Sequence, residues 1–240
     1  MLILVCVGAA AGCGPRRAET PPAAPPVAGA PVLRPAPEGA QVLAVDAGGS
    51  VITLRVYRAG RLAKLGHNHV ITSGTEAGHV WSNGELAGSG FEVRIPVAAL
   101  VIDDPTARAE AGLEFPGELP EAAREGTRRN MLRPEVLDGE RHPEIVVRAD
   151  SLHGTWEQPV VAARVTIKDR VRTIEVPLTV LREPGAITAS GTFRIRQSDF
   201  GITPFSVGGG ALQVADEIDV SFEIRASKAS KVSGLQDVQD

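Results

Sequence analysis

From residue 41 to residue 226 the chain alternates apolar and polar residues with a period of two, the mark of half-buried strands. In Val51-Ile-Thr-Leu-Arg-Val-Tyr-Arg58, for example, Ile52, Leu54 and Val56 fall on one face and Thr53, Arg55 and Tyr57 on the other. Similar runs occupy about 68–72, 75–81, 90–95, 144–149, 160–168, 171–181, 186–196 and 216–226. Gly-Gly, Ser-Asn-Gly, Ala-Gly-Ser-Gly and Glu-Pro-Gly clusters separate them. Strands at such short spacing predict an all-β antiparallel fold, a meander-like sandwich or barrel. Only the stretch from Glu118 to Asp138 breaks the period. It carries good helix formers through Leu132 and a further turn at Pro134, which predicts a short helical insertion between two halves of the sheet. Asp103-Asp104-Pro105 and the Glu- and Arg-rich residues after it read as the solvated loop leading into that insertion.

Alternation also nominates an interior. The apolar faces of the strands carry Ile52, Leu54, Val56, Val165, Ile167, Ile174, Val176, Leu178, Ile187, Phe193, Ile195, Val220, Phe222 and Ile224. An antiparallel sheet of about eight strands closes into a barrel just wide enough for side chains or one small ligand. These residues are therefore either plain core or the wall of a binding cavity. The segment between the last two long runs is unusual. Connections normally carry polar turn formers, yet Phe200, Ile202, Phe205 and Val207 lead here into Gly208-Gly209-Gly210, so this loop is expected to cover an apolar surface.

Composition narrows the partner. Hydrophobic residues make up 43% and aromatics only 4%, which leaves an interior of aliphatic side chains suited to flexible hydrocarbon. A net charge of −4 argues against a nucleic-acid partner, which normally demands a basic face. Met1 to Cys13 is an apolar run too short to cross a bilayer, which takes ~20 residues, but long enough for a signal core. It ends in Ala10-Ala11-Gly12-Cys13, which resembles the bacterial lipobox, and this implies cleavage and lipidation at Cys13. Cys6 would leave with the signal, so no intramolecular disulfide is expected. Residues 14–40 are rich in Pro and Ala, a tether that extends at ~3.1 Å per residue. Residues 227–240 form a polar tail.

Two segments resemble the YceI-like family of lipocalin-like, isoprenoid-binding proteins. One runs from Asn130-Met131-Leu132 to His142-Pro143, the other from Gln197-Ser198-Asp199-Phe200-Gly201 to Gly209 after a Gly-Thr-Phe-Arg-Ile-Arg strand. The resemblance covers roughly residues 43–226, so that 41–226 is expected to be one domain. It implies an eight-stranded extended barrel that holds a long isoprenoid or other amphipathic lipid, such as a quinone or polyprenyl chain, with no cofactor. Phe200, Ile202, Phe205 and Val207 would line or close one mouth, and Met131, Leu132 and Leu137 would pack the helical cover. Lipidation at Cys13, followed by Gly14, implies a periplasm-facing protein of the bacterial cell envelope, anchored to a membrane (the outer one in a Gram-negative cell), and analogy with other carriers of long chains leaves open a homodimer that covers the barrel mouths.

Among polar groups, Gly66-His67-Asn68-His69 stands out. His-X-His on a strand points both imidazoles to one face, and a third ligand from His79, His142 or His153 would make a metal site. His67 and His69 are equally readable as a hydrogen-bonded cap at the barrel mouth or a contact to a ligand headgroup. His142-Pro143 reads as a structural turn, and Arg194, Arg196 and Asp199 as an ion pair at a strand end. The chain has no Gly-X-Ser-X-Gly elbow, no Cys/His pairing after Cys13 and no phosphate loop. Binding without turnover is the expectation, with a metal protein or metal-dependent enzyme built on His67 and His69 as the alternative.

Overall fold

The computed structural model describes residues 33–228, so the signal segment, Cys13, the linker up to residue 32 and the tail from residue 229 lie outside the described residues. Thirteen strands form one antiparallel sheet: β1 (Gln41–Val45), β2 (Val51–Ala59), β3 (His69–Ser73), β4 (Ala77–Ser82), β5 (Gly90–Pro96), β6 (Val101–Ile102), β7 (Glu144–Gly154), β8 (Pro159–Ile167), β9 (Arg170–Pro177), β10 (Thr179–Glu183), β11 (Ala186–Arg196), β12 (Ser206–Val207) and β13 (Leu212–Ser227). Helices α1 (Pro105–Ala111) and α2 (Glu121–Met131) lie between β6 and β7. The all-β expectation and the helical insertion agree with this architecture.

The 16-residue β13 is the spine. One edge pairs with β2 from Gln213↔Ala59 to Glu223↔Val51, and the last residues of that edge pair with β1. The other edge pairs with β11 over its full length, Ala186↔Ser227 to Arg196↔Glu217. From β1 the ladder continues through β4, β5, β7 and β8 to β9.

Eight strands in a closed ladder is where expectation and structure part. The single run expected over 171–181 is two strands, because Pro177 has no N–H to continue the ladder. β9 pairs with β8, the Leu178 N–H donates to the Pro159 carbonyl at 2.9 Å, and β10 then pairs with β11. The sheet therefore does not close by hydrogen bonds, and its two ends are joined by a segment that changes partner at Leu178. Gly191 permits the close approach there: a Cβ at this position would lie 3.0 Å from the Pro177 carbonyl oxygen and 2.9 Å from the Phe222 ring. Along the rest of the seam Phe200 and Ile202 pack against Val165 and Ile167, with Ile174 and Ile195 beside them. The apolar loop predicted to cover something covers this seam.

The stretch after Asp103 also departs from expectation. It forms α1 rather than a solvated loop, with Asp104 Oδ1 capping the N–H groups of Thr106 and Ala107 and Pro105 in the first turn. Asp103 itself has φ of +52°, a region that non-glycine residues seldom adopt. Both helices and the β12–β13 loop sit at one end of the barrel, and the β4–β5, β7–β8 and β10–β11 hairpins at the other.

Candidate functional site

The inner faces of the strands enclose a cavity of about 370 Å³. Its lining reaches from Phe205, Val214 and Asn130 at the helix end to Trp156, Val180 and Ile187 at the hairpin end. Along β11 alone it includes Ile187, Ala189, Phe193 and Ile195. The eight steps from Ile187 to Ile195, at ~3.4 Å each, make that wall about 27 Å long. At the hairpin end a second cavity of about 670 Å³ shares Val80, Trp81, Ser82, Trp156, Val180 and Ile187 with the first and adds both apolar residues such as Leu43 and Ala186 and charged ones such as Glu157, Arg182 and Glu183, so it forms a mixed vestibule. The Arg182 guanidinium lies 4.3 Å from the centroid of the Trp156 ring at this mouth. At the helix end Arg133 lies 5.8 Å from the Phe205 ring.

Of the residues nominated by alternation, Ile52, Leu54, Val56, Val165, Ile167, Val176, Leu178, Ile187, Phe193, Ile195, Val220, Phe222 and Ile224 all line the cavity. So do Phe200, Ile202, Phe205, Met131 and Leu137. Ile174 instead packs beside Val165 and Phe200 at the seam, Leu132 packs against the main core, and Val207 is 46% exposed in the two-residue β12. Sequence reading omitted the half of the wall made by β4, β5 and β7, among them Val80, Phe91, Val93, Ile95, Val147 and Leu152. Their alternation was visible; which face turned inward was not. It also omitted Trp156, which lies in the β7–β8 turn.

The two histidines of Gly66-His-Asn-His69 separate. His67 precedes β3 and is exposed, while His69 is the first residue of β3 and lines the cavity with Ile71 and Ser73. Its Nδ1 lies 2.6 Å from Asp103 Oδ2. The other oxygen of Asp103 accepts the Val70 N–H at 2.9 Å and Arg108 at 2.6 Å. Arg108 donates further to the carbonyls of Asn68, Gly117 and Pro116. Asp103 and Arg108 are 1% and 2% exposed. Burial alone would raise the Asp103 pKa, but the bonds from His69, Val70 and Arg108 outweigh it and hold the carboxyl below its usual range. Asn68 is buried too, accepting the Arg58 N–H and donating to the Glu114 carbonyl, so the whole turn is pinned.

The expected third metal ligand does not converge on this pair. His79 lies on the outer face opposite Glu92, His142 lies beside Asp138 and Asp169, and His153 beside Glu175. Among the described residues no group of three His, Cys, Asp or Glu side chains is arranged to hold a metal ion. His142-Pro143 is a turn into β7, as expected, with the Pro143 carbonyl accepting the Val97 N–H. Arg194 pairs with Asp219 and Glu217 on neighbouring β13 and not with Asp199, because a 3-10 turn at Gln197–Phe200 carries Asp199 off the strand.

A second buried charge lies on the outer face. Glu92, fully buried, takes Arg94 at 2.9 Å, Arg148 at 2.8 Å and the Arg34 N–H at 3.2 Å. Burial would raise its pKa, but these bonds lower it. Burial holds neighbouring His79 below its ordinary value, against the pull of Glu92.

The fold is similar to that of BcnA from Burkholderia cenocepacia, with a TM-score of 0.55 and 17% identity over 76% of this chain and 99% of that one. It is similar also to a polyisoprenoid-binding domain from Saccharophagus degradans implicated in plant cell wall breakdown, with a TM-score of 0.50 and 12% identity over 78% of this chain and 98% of that one. No curated protein matches the chain in sequence. The sequence profile of the YceI-like domain matches residues 44–226, from within β1 almost to the end of β13, and the chain belongs to the YceI-like family.

Proposed function

We propose that this protein binds one long-chain apolar molecule, an isoprenoid or related amphipathic lipid, inside the barrel and sequesters or carries it without turnover. The observation that carries this reading is the apolar cavity that runs from the helix end to the hairpin end. Burial contributes about 0.8 kcal/mol per CH₂, so a chain of ~20 carbons contributes roughly 16 kcal/mol. That offsets the ~4–15 kcal/mol lost on association only for a long chain. A short hydrocarbon would not be retained. The polyisoprenoid binding of the similar Saccharophagus degradans domain supports the same ligand class.

The cargo is a quinone or polyprenyl chain, and the place of action is the bacterial cell envelope. The basis for the address is the apolar Met1–Cys13 segment with its lipobox-like end and the Pro-rich tether behind it. Lipidated at Cys13, the barrel would face the periplasm beside a membrane from which such a molecule is extracted.

Native mass spectrometry of the purified protein, followed by solvent extraction, tests the reading. A non-covalent adduct that extracts into organic solvent is the expected result. A bare mass that persists after incubation with quinones and polyprenols would overturn it.

A further inference from the structure

Within a wall that is largely apolar, one polar ring is oriented from behind by a buried network. β3 sets His69, Ile71 and Ser73 toward the cavity, directly opposite Val56, Leu54 and Ile52 of β2. Behind His69, Asp103 accepts at Nδ1, and Asp103 is itself fixed by Arg108 and the Val70 N–H. An ionised carboxylate only accepts hydrogen bonds, so Nδ1 is the nitrogen that carries the proton. In the neutral imidazole Nε2 then presents a lone pair. Among the described residues Nε2 has no protein partner, although the ring lines the cavity.

Stability alone does not call for this arrangement. An apolar replacement of a buried ion pair is often neutral or stabilising. Here the chain instead buries Asp103 and Arg108, gives Asp103 a positive φ and builds a seven-residue helix that brings Arg108 to the network. Local strain of this kind collects where a side chain must be aimed. A second observation concerns the same strand: Ser73, 1% exposed, lines the cavity with an Oγ that lacks a partner among the described residues. β3 thus offers the interior two unfilled polar groups, of which His69 is the one oriented by a relay.

We infer that His69 Nε2 anchors the polar end of the ligand, and that it accepts a hydrogen bond from a headgroup hydroxyl, so that the barrel takes prenyl alcohols or hydroquinones in preference to ligands that can only accept. The inference rests on the lipid-binding reading above and narrows it: of the quinone and polyprenyl cargoes named there, it favours the forms whose polar end carries an O–H, the polyprenol and the reduced quinone. Asp103 and Arg108 are positioning residues that hold the ring in the accepting tautomer. A hydroxyl in an apolar cavity without a partner is costly, and His69 supplies that partner at the helix end, leaving the chain to extend toward Trp156.

The test uses geranylgeraniol and its methyl ether, which share a chain but differ in the O–H donor, against the full chain, His69→Leu and His69→Gln. Wild type should bind the alcohol about tenfold more tightly than the ether. His69→Leu should bind both alike, and His69→Gln, whose amide oxygen still accepts, should keep part of the preference. In wild type, ¹⁵N NMR of the imidazole should show an unprotonated Nε2 whose resonance moves with the alcohol and stays put with the ether. Equal affinity in wild type, a preference for the ether, or a preference that survives in His69→Leu would each overturn the role of His69 while leaving the barrel a lipid binder. Failure of wild type to bind either molecule would overturn the lipid-binding reading itself.

Discussion

Asp103 and Glu92 are both carboxylates taken out of water, and both are paired with cationic side chains, yet they serve opposite faces of the sheet. Asp103 is enclosed by α1 and the turn after Pro116, and its network ends at an imidazole on the cavity wall. Glu92 lies under Arg94 and Arg148, which reach solvent, and under the backbone of Arg34, so its network ends at the protein surface. The same electrostatic requirement, that a buried charge be paired, is met in both. What makes one of them part of a binding site is the direction of the last group in the chain of bonds.

The comparison breaks most sharply at Asp103. Asp103→Ala leaves Arg108, 2% exposed, without its counter-charge, and should cost about 3–5 kcal/mol. Urea unfolding measures this, and a loss below about 1 kcal/mol would mean that water reaches Arg108. Glu92→Gln should cost less, about 1–2 kcal/mol, because Arg94 keeps Glu144 at 2.9 Å and Arg148 can turn to solvent. Its ligand affinity should be unchanged, since the outer face does not touch the cavity. A loss of affinity equal to that of Asp103→Ala would erase the distinction between the two networks.

Acidification should act on the outer network first. The His79 pKa is held below its ordinary 6.5 by burial, so the fold favours the neutral ring. That contribution is complete above about pH 6.5 and is lost as pH falls through that value toward the lowered folded pKa. Glu92, held below its ordinary 4.5, contributes above that value and is lost only in stronger acid. Melting temperatures should therefore fall between pH 7.5 and 5.5 in the wild type and fall less in His79→Gln; equal slopes would remove His79 from the account. His69→Leu takes away the partner of Asp103 Oδ2 and should cost about 1–3 kcal/mol, less than Asp103→Ala because Asp103 keeps Arg108 and the new side chain sits in the apolar wall with Val56 and Ile71. A larger loss of stability there would recast His69 as a structural cap.

How far the site could be read in advance differs residue by residue. Ile52, Leu54 and Val56 could be placed on the cavity wall because a half-buried strand writes its faces into a period of two. The apolar loop from Phe200 to Phe205 could be recognised as a cover because its side chains contradict its connecting role. Ile174 was misplaced for a reason of geometry: at the open seam between β9 and β11 the interior is filled by packing rather than lined as cavity. Arg108 and Asp103 gave a local signal, a capping Asp104 before Pro105, that marks a helix start but says nothing of a buried charge beneath it.

The strand faces, the apolar interior, the helical insertion and the family are all legible along the chain, because each is written in local pattern and motif. Tertiary structure decided the rest. The change of partner at Leu178 depends on which strands Pro177 leaves unpaired, and the separation of His67 from His69 depends on where β3 begins. Joining Asp103 and Arg108 to the ring of His69 spans 34 residues from His69 to Asp103. Contacts between segments that distant leave no periodic trace in the chain; they form only when the fold brings the segments together.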